Sequence, residues 1–261
     1  VEHLEHPLRA GENMFEKEIA FIRSLFPGKE TIPLHEPVLG QMEKQWLCRA
    51  IDSGYVSTAG SHVEMFEKKL CKVTGAGYTV ATVNGTAALH AALMATGVGS
   101  GDEVLTQPLT FAATANAIHY CGAHSVFLDV DADTFGLSPD ALDRFLADAV
   151  MEKQDGLYNR KTGRRIAACV PVHVFGLPCR IDEIAHICRR YGIPLVEDAA
   201  EALGTRYQQT HAGRFGQMGV LSFNGNKTIT TGGGGMVITN NKETARKAKH
   251  ITTTAKVPHK W

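Results

Sequence analysis

One lysine, Lys227, stands in the stretch Ser222-Phe-Asn-Gly-Asn-Lys-Thr-Ile-Thr-Thr-Gly-Gly-Gly-Gly235, between polar residues and four consecutive glycines. Three chemistries suit a lysine in that setting: phosphate binding, covalent catalysis, or an ordinary charge on a loop. A nucleotide P-loop needs glycine immediately before the lysine and another five residues earlier. Asn226 and Leu221 hold those positions, which removes that reading. What is left is a lysine just past an apolar, strand-like run (219–223), followed by glycines that permit close backbone approach.

Four further groups have residue types that could act with it. In Asn84-Gly85-Thr86-Ala87, small residues open a helical stretch and offer unpaired N–H groups and a positive dipole end to a phosphate. The plainer alternative is that Thr86 only caps the helix. Phe111, in Thr110-Phe-Ala-Ala-Thr-Ala-Asn116, suits either stacking on a planar ligand or core packing. Glu197, Asp198 and Glu201 follow the apolar run ending at Val196; a carboxylate there could bind Mg²⁺, pair with a cationic ligand atom, act as a base, or complement a helix dipole. His173 fits a structural role as well as a substrate contact, and the other eleven histidines lack metal-ligand spacing, so no metal site is expected. A phosphate turn, a lysine, a carboxylate and an aromatic face are together the set that pyridoxal 5'-phosphate requires: a cradle, an amine for its aldehyde, an acid for its ring nitrogen and a surface for its ring.

These residues need a frame. Strand-like runs at 77–83, 103–106, 125–130, 167–172, 193–197, 219–223 and 236–239 alternate with helical stretches at 86–96, 112–121, 181–191 and from Lys242. Ser138-Pro139 marks a further helix start, an N-cap followed by proline at the first helical position. An additional helix is expected at 14–25, and the polar segment 151–165 reads as a surface excursion. The alternation predicts an α/β fold, with a mostly parallel sheet carrying helices on both faces. Such sheets keep their chemistry just past the carboxyl ends of the strands, which is where the candidate residues fall.

Composition sets outer limits. Lys+Arg and Asp+Glu both number 27, so bulk charge gives no reason to expect nucleic acid or an anionic membrane as partner. No apolar run is long enough to cross a bilayer, and no signal peptide is expected. Six scattered cysteines without a CxxC pair read as reduced thiols of a cytoplasmic protein. The absence of GxGxxG after any strand disfavours a nucleotide-sugar dehydrogenase or epimerase.

The motifs VNGTAALHAAL (83–93), QPLTFAATANAI (107–118), VEDAAEALG (196–204) and SFNGNKTITTGGGGMV (222–237) resemble those of the DegT/DnrJ-type nucleotide-sugar aminotransferases, over about Pro33 to Pro258. The resemblance implies an aspartate-aminotransferase-like large domain (fold type I) at 33–261, preceded by an N-terminal helical segment at 1–32. Family members continue into a small C-terminal domain that helps close the active site, and this chain is expected to lack most of it. Carried over by position, Lys227 forms the Schiff base and Asp198 pairs with the pyridine nitrogen. Phe111 stacks on the ring, and Gly85, Thr86, Ala87, Ser222 and Asn224 surround the phosphate. Glu201 falls near the phenolic oxygen, where many members have glutamine; an acid donates no hydrogen bond there unless protonated or acting through water.

Within the family, SLFPGKETIPLHEP (24–37), TGGGGM (231–236) and ITTTAKVPH (251–259) are most similar to 4-aminotransferases of the legionaminic-acid type. The implied reaction moves an amino group from an amino acid, glutamate by expectation, to C4 of a UDP-4-keto-6-deoxy-N-acetylhexosamine. Lys227, once displaced by the donor, shuttles the proton between the donor's Cα and C4′ of the cofactor. A homodimer is also implied. The alternatives are a sugar dehydratase of the same fold, in which histidine replaces the lysine, and a catalytically incomplete cofactor-binding fragment.

Overall fold

The computed structural model describes residues 15–58 and 60–255, and the chain falls into two compact units, Val1–Glu36 and Pro37–Trp261. The first contains α1 (Glu16–Leu25), which buries none of its side chains. The second begins with α2 (Gln41–Asp52) and α3 (Ser61–Thr74), and then alternates. In order come β1 (Tyr78–Thr82), α4 (Gly85–Thr96), β2 (Glu103–Thr106), α5 (Ala112–Tyr120), β3 (His124–Phe127) and α6 (Pro139–Asp148). The hairpin β4 (Val150–Lys153) and β5 (Gly156–Asn159) leads to β6 (Ile166–Val170), α7 (Ile181–Arg190) and β7 (Val196–Asp198). A small hairpin, β8 (Arg206–Tyr207) and β9 (Thr210–His211), precedes β10 (Met218–Ser222), β11 (Gly235–Thr239) and α8 (Lys242–Thr252).

Strands β3, β2 and β6 form one parallel group, and β7, β10, β11 and β1 form a mixed one. Parallel bridges Cys169–Leu195 and Val172–Asp198 join β6 to β7, so the strands run β3-β2-β6-β7-β10-β11-β1. Only β11 runs against its neighbours, pairing antiparallel with both β1 and β10. The sheet is therefore mostly parallel, as its unbroken apolar strands imply.

Alternation along each strand divides the core between the two faces. Val104, Val220 and Val237 pack with Leu89, Leu93 and Ile118 of α4 and α5. Their neighbours point the other way: Leu105 joins Leu142, Ile181 and Ile184 under α6 and α7, while Leu221, Met236 and Ile238 meet Leu70 of α3. Helices thus cover both faces.

Several expectations shift. Residues 151–165 hold the hairpin of β4 and β5, tied to β2 where the Asn159 amide donates to Glu103 at 2.8 Å. The strand expected at 193–197 is displaced to Val196–Asp198, because Pro194 has no N–H for the ladder and contributes only its carbonyl, to the Cys169 N–H. Helices α2 and α3 add to the expected elements; in α2, Met42 and Trp46, then Leu47 and Ile51, are spaced four apart, one helical turn. Part of the motif at 251–259 lies outside the described residues.

Candidate active site

The first βα turn follows β1. Asn84 is the N-cap of α4, its side chain accepting from the Ala87 N–H at 2.7 Å. The capping role considered for Thr86 therefore belongs to Asn84, and the Ala87 N–H is already engaged. Gly85 and Thr86 keep first-turn N–H groups that have no acceptor within the helix. A Cβ on Gly85 would stand 2.9 Å from Ser222 Cβ, so glycine lets the start of α4 close against the end of β10. Gly235 has the same reason on the other side: its Cβ would strike the Asn84 carbonyl. Gly235, the last of the glycines after Lys227, so lets the β10–β11 hairpin close against the start of α4.

Between β10 and β11 the chain makes a loop closed by backbone bonds from Phe223 N–H to Gly234 and from Thr231 N–H to Phe223, at 2.9 and 3.0 Å. Lys227 lies in it. Its N–H donates to the Asn224 carbonyl, and its Nζ forms an ion pair with Glu201 Oε1 at 2.7 Å. Asn224 is exposed, with its amide donating to Asn226 Oδ1 at 3.0 Å, whereas Ser222 is buried.

Asp198 ends β7 and is buried. Oδ2 accepts from the Thr114 hydroxyl at 2.7 Å and Oδ1 from the Ala200 N–H at 3.2 Å. Burial pushes its pKa up, against the pull of Thr114, Ala200, His173 and Lys227 in the other direction. A cation beside this carboxylate would relieve that cost. Thr114, within the motif at 107–118 but without a chemical signal of its own there, sits on the first turn of α5, and its hydroxyl is also 2.7 Å from that of Thr110. Phe111 is the N-cap of the same helix and is 79% exposed, which rules out the core alternative. Gln107 fixes the intervening loop: its amide donates to the Leu109 and Phe135 carbonyls and accepts from the Leu137 and Val172 N–H groups.

His173, expected as a weak substrate contact, has a fully buried side chain whose partners are internal. Nε2 meets Glu197 Oε2 at 3.1 Å. Burial would depress its pKa, but Cys179 and Glu197 outweigh that and hold it at about 10. Glu197 likewise faces away from the site, binding backbone N–H groups at 213–216.

The structure thus brings Gly85, Ser222, Lys227, Glu201, Asp198 and Phe111 to the carboxyl ends of β1, β10, β7 and β2, and sets His173 behind them. The residues present fit pyridoxal phosphate: a glycine-opened helix start, a buried acid lacking a cation, an exposed ring and a lysine. A mostly parallel sheet of this order, covered by helices on both faces, is the aspartate-aminotransferase-like α/β fold.

The chain belongs to the DegT/DnrJ/EryC1/StrS aminotransferase family, whose sequence profile matches residues 37–261. It is 39% identical over 227 residues to a protein of Bacillus subtilis strain 168 that carries the provisional name pyridoxal phosphate-dependent aminotransferase EpsN, covering 87% of this chain and 56% of that one. It is 36% identical over 220 residues to GDP-perosamine synthase of Escherichia coli O157:H7, covering 84% and 56% respectively. Among solved structures, PseC of Helicobacter pylori, an aminotransferase involved in the biosynthesis of pseudoaminic acid, superposes with a TM-score of 0.77 at 25% identity, over 89% of this chain and 58% of that one. The chain therefore spans just over half the length of each. Pyridoxal phosphate is the cofactor of the family.

Proposed function

We propose that this chain is the cofactor-binding part of a nucleotide-sugar aminotransferase, with Lys227 as the residue that carries the cofactor. The observation that carries the reading is the placement of Lys227 Nζ at the carboxyl end of the sheet, within the electrostatic reach of buried Asp198 and 2.7 Å from Glu201. Bound there, the cofactor would supply an electron sink for the carbanion formed at an amino acid's Cα. Asp198 would hold a proton on the ring nitrogen. Phe111 would cover one ring face, and the N–H groups of Gly85 and Thr86, with Ser222 and Asn224, would take the phosphate. Lys227, when free, would receive the proton from the donor's Cα and return it. Glu201 would keep the ammonium form of Lys227 in place between those events.

The substrate we propose is a UDP-4-keto-6-deoxy-N-acetylhexosamine, aminated at C4 with glutamate as donor. The motifs at 24–37 and 231–236 support the UDP-sugar assignment; the likeness to GDP-perosamine synthase and to an aminotransferase of pseudoaminic acid biosynthesis supports the coarser class, a sugar aminotransferase. A sugar dehydratase is disfavoured by Lys227 itself. The incomplete-fragment reading keeps support from the share of the relatives' length that is spanned. A homodimer in the cytoplasm completes the proposal. On α2, Leu47 and Ile51 stand one turn apart and are exposed, an apolar strip that a second copy would cover, and among the described residues no helix is long and apolar enough to cross a membrane.

Reconstitution tests the central assignment. With pyridoxal phosphate the protein should gain a visible absorbance, and borohydride should fix the cofactor on the peptide containing Lys227. Label on another lysine would overturn it. Incubation of a version carrying the remaining family-length sequence with a panel of UDP-, GDP- and TDP-linked 4-keto sugars then tests the substrate; turnover of only GDP- or TDP-sugars would sink the UDP assignment.

A further inference from the structure

Glu197 and His173 are both completely buried, and neither reaches the cofactor side of the sheet. Strand alternation sends Glu197 to the face opposite Asp198. A buried carboxylate is tolerated only when its oxygens are fully engaged, and these are. Oε1 accepts from the N–H groups of Phe215 and Gly216 at 2.6 and 2.7 Å; Oε2 accepts from the Gly213 N–H at 2.7 Å and from His173 Nε2 at 3.1 Å. The turn is built to come this close. Gly213 has φ +94, and a Cβ on Gly216 would strike the Leu195 carbonyl. On the far side of the imidazole, Nδ1 faces the Cys179 N–H at 3.4 Å and its Sγ at 3.7 Å. Nε2 carries a proton towards Glu197 in the neutral tautomer that the Cys179 N–H selects and in the cation alike.

The main chain beside the pair closes a ring. The His173 N–H donates to the Asp198 carbonyl and the Asp198 N–H to the Pro171 carbonyl, both at 3.0 Å. From Glu197 the ring runs through its side chain to the His173 imidazole, along the His173 backbone to the Asp198 carbonyl, and back through one peptide. β7 ends at this point: parallel bridges Cys169–Leu195 and Val172–Asp198 tie it to β6, and the second of them falls on its last residue.

We propose that Glu197 and His173 are positioning residues for Asp198, a buried pair on the reverse face of β7 that sets where the Asp198 carboxylate stands. This rests on the assignment of Asp198 to the cofactor's ring nitrogen. The ionisable neighbours of the pair are Cys179 ahead of α7, His211 at the end of β9, and Asp198 itself, with Lys227 beyond it.

The test compares two ligands on the full chain: pyridoxal phosphate and its 1-deaza analogue, which has carbon in place of the ring nitrogen and is blind to Asp198. Glu197→Gln and His173→Ala are each expected to weaken pyridoxal phosphate at least tenfold while changing the deaza analogue less than twofold. His173→Ala leaves the 213–216 turn its carboxylate, so it carries the test if Glu197→Gln does not fold. Equal weakening of both ligands, with a lowered melting temperature, would mean that the pair only holds the fold together and would overturn the proposal. Asp198→Asn is the control. If it too fails to separate the two ligands, the assignment of Asp198 is wrong; if it separates them and the pair variants do not, the positioning role alone is wrong.

Discussion

The end of β7 and the loop between β10 and β11 lie side by side in the site and are built in opposite ways. Asp198 is buried, with both carboxylate oxygens engaged and its backbone held by Pro171 and His173. Lys227 is tied by one backbone bond and one ion pair, to a Glu201 whose side chain is 40% exposed. The difference follows the chemistry expected of each. An acid that keeps a ring nitrogen protonated has to stay in one place and one state. A lysine that bonds, is displaced and then moves a proton needs room and a replaceable partner.

Substituting the loop residue should have the largest effect. Lys227→Ala is expected to abolish borohydride-stable labelling and to lower turnover by about 10²–10⁴-fold, the range for a lost proton-transfer group. Noncovalent cofactor binding, read by dialysis, should survive because the acid, the ring face and the phosphate turn are intact. Loss of all binding would erase the contrast between the two regions.

Asp198→Asn probes the rigid side. It should weaken pyridoxal phosphate by about 2–5 kcal/mol, the cost of truncating one partner of a buried charge pair. Cofactor-free stability should move the other way. The Asp198 pKa is raised in the folded chain, so its ionisation costs stability as pH rises above the ordinary carboxylate range. The amide removes that cost, and the melting temperature of the cofactor-free variant at neutral pH should equal or exceed that of the parent.

Thr114→Val deletes one hydrogen bond to that carboxylate and keeps the shape. A loss of about 1.5–3 kcal/mol in cofactor affinity is expected, as for hydrogen bonds to charged groups. An unchanged affinity would place the rigidity of Asp198 in its backbone alone.

The last measurement reads a slope. His173 has a folded-state pKa of about 10 against an ordinary 6.5, so its protonation contributes stability that is complete below 6.5 and fades as pH rises towards 10. Melting temperatures should decline over that window in the parent and decline less in His173→Ala. Parallel curves would show that the imidazole does not titrate there.

Much of the frame was legible because buried parallel strands read as unbroken apolar runs with turns between them. The helix beginning at Pro139, with Ser138 as its cap, followed directly from local residue types. Helix α2 carries a periodic signal in Met42 and Trp46, then Leu47 and Ile51, without an N-cap side chain to mark its start. The end of β7 was harder, since Leu195 is as apolar as Val196 and only Pro194's missing donor moves the ladder. In the site, Lys227, Asp198 and Phe111 stood out because each follows a strand. Thr114 did not: a threonine within a helical run looks the same whether or not a carboxylate lies 84 positions further on.

The sequence by itself determined the alternation of elements, the residues lying past the strand ends, and the chemistry they could share, because these depend on local side-chain types and spacing. Tertiary structure alone decided which face each acid takes. Glu197 and Asp198 are adjacent and chemically alike, yet alternation along β7 turns one to the buried turn at 213–216 and the other towards Lys227. It also decided that His173 lies behind the sheet, that Asn84 caps α4, and why glycine stands at 85 and 235. Those outcomes rest on contacts between segments far apart in the chain, which no local pattern records.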